Sequence, residues 1–317
     1  MDIGSASIKL VELSKQAHGC RVEAYGMEPL PPNSVVDGQF SDVERIGEAI
    51  RELKRRCGCR SKQAALALSG PSALIKTFAV DATLADADVE ATIEVEAERH
   101  LPGPPDEVAY DFEVQGLSPL DPKQAEVVLA ACPKAQLAQG LAVLRAAHLQ
   151  PIAIEIKDLA VARGLAEARV TVAGEDEGLT ALFDVASGAA KLRVFERGLC
   201  IHRATETFET PLGLSDPVGD ESAHSAIDAG PLARVAAQAL ECFAASAAPA
   251  RVGAALFAGA GVGSALVDLV DERLPVRAAV ANPFRNMSLA PRIDRQGLFR
   301  DAPRLLTACG LALRSGP

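Results

Sequence analysis

MDIGSASIKL, residues 1–10, places an acid, a glycine two residues on, a serine next and a lysine seven after the acid. FDVASGAAKL, residues 183–192, repeats that arrangement in the second half of the chain. With the aspartates aligned, Asp2, Ile3, Gly4, Ser5, Ala6, Lys9 and Leu10 face Asp184, Val185, Ala186, Ser187, Gly188, Lys191 and Leu192. The flanking sequence has the same rhythm in both places. A strand over 8–13, the polar turn SKQAHG and a return strand over 20–25 follow the first copy. A strand over 179–183 leads into the second, and strands over 192–195 and 199–204 follow it. The same motif at the same point of a strand-turn-strand hairpin reads as an internal duplication.

Such a turn suits a nucleotide's phosphates. Backbone N–H groups of the small residues Gly4, Ser5, Ala6 and Ser7, and of Ser187 and Gly188, point at phosphate oxygens. Glycine permits close approach. Lys9 supplies a mobile positive charge, and Asp2 and Asp184 are placed to hold Mg²⁺ through water. A later stretch, AALFAGAGVGSALVDLV, reads as strand, glycine loop and helix. Its Gly259, Gly261 and Gly263 would suit the nucleoside. Any one of these pieces is common in hairpins and connections that bind nothing. Their order along a duplicated chain favours nucleotide binding.

The remaining chain supports an α/β class with layered strands and helices. Ser41 and Glu44 have capping-box spacing ahead of a helix with Val43, Ile46, Ile50 and Leu53 on one face. Lys54, Arg55 and Arg56 crowd its end and Gly58 stops it. Apolar strands over 64–68 and 73–80 precede a very acidic helix over 86–100. Strands over 108–114 and 126–131, a helix over 134–147, the strand IAIEI at 152–156 and a helix over 158–168 follow. The segment 172–178 reads as a linker and 205–230 as weakly structured. A helix over 232–243 and a final helix with Asp301 as N-cap and Pro303 in its first turn complete the second half.

At 317 residues the chain suits two lobes with sizeable cores. Its net charge of −10 argues against nucleic acid as a partner. The uncharged run over 252–267 is too short to span a bilayer and no signal peptide is expected. Seven scattered cysteines fit free thiols of a reducing cytoplasm. Cys57 and Cys59 read as exposed thiols at a helix end, since no second pair or histidine completes a metal site.

Asp2, Gly4, Ser5 and Lys9 resemble the first phosphate motif of the actin, Hsp70 and sugar-kinase superfamily. Asp184 and its turn resemble the second, and residues 259–263 the adenosine motif. More narrowly, the chain is similar to the PilM family of type IV pilus assembly proteins, actin-like relatives of the cell-division protein FtsA. The stretches that carry this are MDIGSASIKLVEL, NSVVDGQFSDVERIGEAI, EVEAERHLP with EVAYDFEV, ANPFRNMSLAPRI and DAPRLLTACGLALR. The resemblance implies a two-lobed, ribonuclease H-like duplicated fold. The first lobe would be 1–158 with a small insert at about 64–128, and the second 159–317, with residues 301–314 packing back toward the first. It implies ATP with Mg between the lobes, and the cytoplasmic tail of PilN in a first-lobe groove between the N-terminal sheet and the insert. It implies other pilus and motor components as partners, and a cytoplasmic location at the inner membrane through protein contacts rather than insertion.

The departures fall on the nucleotide side. Ala186 stands where the second turn has glycine, TFETPLG replaces the glycine pair after the return strand, the segment that helps clasp adenine is shortened to 205–230, and Ala260 breaks the adenosine glycines. No residue stands out as a water-positioning base, and Glu155 and Glu96 read as structural or solvated. The combined reading is a scaffold with a degenerate ATP site and little or no hydrolysis. The rivals are an active actin-like ATPase, a sugar or acetate kinase, and a dinucleotide enzyme built on GAGVG, which lacks a ribose-binding acid at suitable spacing. Serine-hydrolase, zinc-protease and P-loop motifs are missing from the sequence.

Overall fold

The computed structural model describes residues 1–70, 72–84, 86–118, 121–168, 178–186, 189–207, 229–246, 251–274 and 276–314. The chain begins with β1 (Asp2–Ile3), β2 (Ser7–Gln16), β3 (Gly19–Pro29), β4 (Val35–Val36) and β5 (Gln39–Phe40). Helix α1 (Val43–Cys57) leads to β6 (Gln63–Leu68), β7 (Leu74–Asp81) and the acidic helix α2 (Asp86–His100). Then come β8 (Val108–Leu117), β9 (Gln124–Pro133), α3 (Lys134–Ala146), β10 (Gln150–Ile156) and α4 (Lys157–Ala168). The second half adds β11 (Leu179–Ala186), β12 (Ala189–Glu196), β13 (Leu199–Thr207), α5 (Ala229–Ser246), β14 (Val252–Gly259), α6 (Ser264–Asp271), β15 (Arg277–Val280) and β16 (Ser288–Leu289). It ends with α7 (Arg295–Asp301), a 3-10 turn (Ala302–Arg304) and α8 (Leu306–Ala312).

Two compact units emerge from the contacts. Unit one gathers Met1–Pro31, Ala49–Ser61 and Asp158–Pro317; unit two holds Pro32–Glu48 and Lys62–Lys157. Both repeated hairpins therefore lie in unit one. Its first sheet has the order β1-β2-β3-β16, its second β13-β12-β11-β14-β15. In the second sheet, Phe183 on β11 stacks on Phe257 on β14 at 4.9 Å, in a core filled by Leu232, Ala236 and Phe243 of α5. The opposite face places Leu182, Leu256 and Ala258 against Val161 and Leu165 of α4 and Leu306 of α8. Leu305, Ala308 and Cys309 instead fill the core under Val11 and Val22 of the first sheet. The C-terminal segment thus contributes to the cores of both sheets in this unit.

Helix α4 and helix α8 approach through glycines. A Cβ on Gly164 would stand 2.4 Å from the Leu306 carbonyl oxygen, and one on Gly310 would stand 1.8 Å from that of Ala160. Only a hydrogen at these positions lets the two backbones come this close.

In unit two, the antiparallel sheet β7-β9-β8 packs Phe78, Val80 and Val127 on Ile93 of α2. The parallel pair β6 and β10 packs on α3, where Gly140 faces Leu66, Leu68 and Ile154. Strand β8 pairs with β9 alone, so its other edge is open among the described residues.

Several local expectations are corrected. The Ser41 hydroxyl donates to the carbonyls of Asn33 and Ser34 rather than capping α1; the Asp42 carboxylate accepts from the Arg45 N–H at 3.0 Å instead. The C-terminal run is not one helix from Asp301. Asp294 caps α7 through the N–H groups of Gln296 and Gly297, and Pro303 sits in the 3-10 turn ahead of α8. Residues 205–207 extend strand β13, whereas 208–228, and the linker over 172–177, lie outside the described residues. Cys57 and Cys59 are half-buried, not exposed. Among the described residues no helix is long and apolar enough to cross a membrane.

Candidate functional site

The first hairpin places Asp2 on β1 directly opposite Lys9 on β2, with Ile3 opposite Ile8. The second places Asp184 on β11 directly opposite Lys191 on β12, with Val185 opposite Ala190. The sequence repeat is thus a structural repeat: one acid-lysine register, built twice by antiparallel pairing across a short turn.

The two turns differ in what they offer a ligand. In the first, the Gly4 N–H donates to the Ser7 carbonyl at 3.0 Å, and Ser5 and Ala6 are exposed at the tip. Asp2 and Ser7 are buried at its base. A Cβ on Gly4 would meet nothing closer than the Ser7 carbonyl oxygen at 3.5 Å and the Lys9 Nζ at 3.8 Å. That is ordinary contact at an unstrained φ, so the fold itself does not demand glycine here. The small, exposed turn with a lysine ammonium over it fits an oxyanion.

In the second turn Ala186 is exposed at the end of β11, and Ser187 and Gly188 lie outside the described residues. The Asp184 carboxylate is engaged from within the protein. Arg193 Nη1 donates to its Oδ2 at 3.2 Å, while Arg193 Nε donates to Asp158 Oδ1 at 3.0 Å. Arg203 Nε donates to the other oxygen of Asp158 at 2.7 Å. The side chains of Arg193 and Asp158 are each 12% exposed and that of Asp184 33%. Burial works against the Arg193 charge, but the carboxylates of Asp184 and Asp158 outweigh it and hold the guanidinium above its usual range. A carboxylate occupied in this way does not fit the water-mediated Mg²⁺ ligand expected of Asp184. Among the described residues, no three His, Cys, Asp or Glu side chains gather as a metal site.

The three glycines after β14 have separate roles. Gly259 has φ +108°, and a Cβ there would stand 2.0 Å from the Val185 carbonyl oxygen. The pairing of β14 with β11 therefore requires this glycine without any ligand. Gly261, at φ +72°, turns the chain, and Gly263 precedes α6 with nothing within 4 Å of a Cβ. Gly263, unlike Gly259, leaves space that the fold does not use.

Arg193, Asp158 and Arg203 belong to no motif of the sequence. The signal was present in part. Arg193 alternates with the buried Leu192 and Val194, which sets it on the same face as Lys191, and it lies nine residues after Asp184. Residue Val11, nine after Asp2, is buried and apolar instead.

Duplicated acid-turn-lysine hairpins on mixed sheets, with helices between, define an actin-like α/β protein. The fold matches that of a solved "PilM-PilN type IV pilus biogenesis complex" at TM-score 0.75 and 23% identity, covering 99% of this chain and 96% of that one. Ethanolamine utilization protein EutJ from Carboxydothermus hydrogenoformans is more distant, at TM-score 0.48 and 17% identity over 99% of this chain and 88% of its own. The chain belongs to the type IV pilus assembly protein PilM family, which it matches over residues 1–209 and 230–316.

Proposed function

We propose that this protein is a scaffold of the type IV pilus inner-membrane assembly complex, and that it docks the cytoplasmic tail of PilN on unit two. The observation that carries this is the open edge of β8. Tyr110, Val114 and Leu117 are exposed along it, interleaved with the exposed Asp111 and Glu113. Between Asp81 and Gln124 the sequence has twelve Asp and Glu against two Lys and Arg. Twelve minus two leaves a charge of −10, the same as that of the entire chain. An extended tail adding a strand here would make main-chain hydrogen bonds to β8, seat apolar side chains beside Tyr110 and Val114, and set its cations against the acids.

In this reading the chain divides by repeat into 1–158 and 159–317, with the insert at about 64–128, and reaches the membrane through PilN rather than by insertion. A nucleotide would bind in unit one at Gly4, Ser5, Ala6, Ser7 and Lys9, with Gly263 toward the nucleoside. The occupied Asp184 argues for little or no hydrolysis. Closure around nucleotide would bias the tail site by a coupling energy of about 1–3 kcal/mol.

Calorimetry with the PilN tail peptide, with and without ATP, tests this. Binding is expected to weaken at least about tenfold in Asp111→Lys/Glu113→Lys and to fall with added salt. Equal affinity with and without ATP removes the coupling. Failure of the tail to bind in either buffer, or binding unaffected by the double substitution, removes the proposed docking site.

A further inference from the structure

The two hairpins share the acid and the lysine but differ nine residues after the acid. That position is Val11 in the first hairpin, packed in the core beneath the sheet, and Arg193 in the second. Arg193 does not swing in solvent. Its Nε is tied to Asp158 at the start of α4, and Asp158 is tied in turn to Arg203 on β13. Three strands and a helix therefore hold the guanidinium with Nη1 3.2 Å from the Asp184 carboxylate.

A divalent cation serving a phosphate through Asp184 would have to approach that carboxylate. There it would meet a fixed positive charge already paired with the same group. Repulsion between the two cations, in a site where Arg193 is largely shielded from water, opposes the metal. The guanidinium offers what the metal would have offered, positive charge beside the acid, and adds planar N–H donors that suit phosphate oxygens.

We propose that Arg193 is the resident counter-cation of the second turn, standing in for a divalent metal at Asp184, so that a nucleoside polyphosphate binds this protein without a divalent ion. This rests on the reading of the hairpins as phosphate turns. The step is binding alone: no bond forms or breaks, and Asp184 acts as a positioning residue for Arg193.

The test is calorimetric titration of the full chain with ATP in Mg²⁺ and in EDTA, using wild type, Arg193→Gln and Asp184→Asn. The wild-type affinity is expected to agree within about threefold between the two buffers. Arg193→Gln should become metal-dependent, binding at least about tenfold more weakly in EDTA than in Mg²⁺. Circular dichroism melting checks that each variant folds, and Arg193→Lys, which keeps a cation, should remain indifferent to metal. Wild-type binding that drops tenfold or more in EDTA, with Asp184→Asn removing the difference, overturns the inference while leaving a nucleotide site in place. A folded Arg193→Gln that stays indifferent to Mg²⁺ overturns it too, because something other than the guanidinium would then be replacing the metal. Absence of ATP binding in both buffers overturns it together with the nucleotide part of the proposed function, and leaves tail docking standing.

Discussion

Replacing Gly310 with alanine forces a backbone-on-backbone collision. The new Cβ would stand 1.8 Å from the Ala160 carbonyl oxygen, 2.7 Å from its carbonyl carbon and 2.9 Å from the Gly164 nitrogen. None of these atoms belongs to a side chain that could rotate away. Relief requires α4 and α8 to part by about 1.5 Å, and a gap of that size forfeits much of the dispersion contact across it. Leu305, Leu306, Ala308 and Cys309, all buried, would lose neighbours. Arg163 Nε, which donates to the Gly310 carbonyl at 3.0 Å, would be displaced as well. Overpacking of this kind costs about 1–3 kcal/mol or more, and alanine's better helix propensity returns at most about 1 kcal/mol. With a backbone obstacle the upper end applies, so a net loss of about 2–4 kcal/mol is expected, lowering Tm by roughly 5–10 °C. Differential scanning calorimetry beside urea unfolding measures both. Gly263→Ala, whose Cβ meets nothing within 4 Å, is the control; it loses only the N-cap preference for glycine on α6, about 0.5–1 kcal/mol, and should lower Tm by no more than about 2 °C. A Gly310→Ala protein melting with wild type would refute the argument that this glycine sets the approach of the two helices.

Gly259→Ala should destabilise through its φ of +108° and the 2.0 Å approach to Val185, and should do so in the absence of nucleotide; a melt that matches wild type until ATP is added would assign this glycine to the ligand instead. Asp158→Asn leaves Arg193 and Arg203 facing a neutral amide, with an expected cost of about 2–3 kcal/mol in urea unfolding, given that Arg203 is half exposed. A cost below about 0.5 kcal/mol would mean that the cluster is held by packing alone. Burial raises the thiols of Cys57, Cys132, Cys200 and Cys309 and pushes Cys59 to about 11, so the folded chain holds these protons more tightly than the unfolded one. Their stabilisation is complete below the unfolded value near 9 and is lost as pH rises through the folded values. The urea midpoint should therefore fall between pH 9 and 11, less steeply in Cys59→Ser; a midpoint that rises over this range would contradict the assignment.

Local signals account for what was legible in advance. The acidic helix runs over 86–100 as its polar face and following proline indicate, and the apolar stripe of Ile46, Ile50 and Leu53 is buried on α1. The repeated hairpin was readable because strand alternation and turn residues act over fewer than ten positions. Local sequence does not choose the cap of α1, because Ser41 and Asp42 are both competent caps and the 33–34 loop draws the serine away. The break before α8 has no distinct local signal, because a proline suits either the first turn of a helix or a 3-10 turn.

By itself, the sequence determined the duplicated acid-turn-lysine hairpins, the α/β class and the family, since each depends on residues close together along the chain. Tertiary structure alone decided the roles of the charges and glycines. Asp158 and Arg193 lie 35 residues apart, and Gly310 meets Ala160 only where two helices cross. A carboxylate's role depends on which cation folding sets beside it, and a glycine's on which backbone arrives at its Cα. Neither is encoded in local spacing, because both are consequences of packing between distant segments.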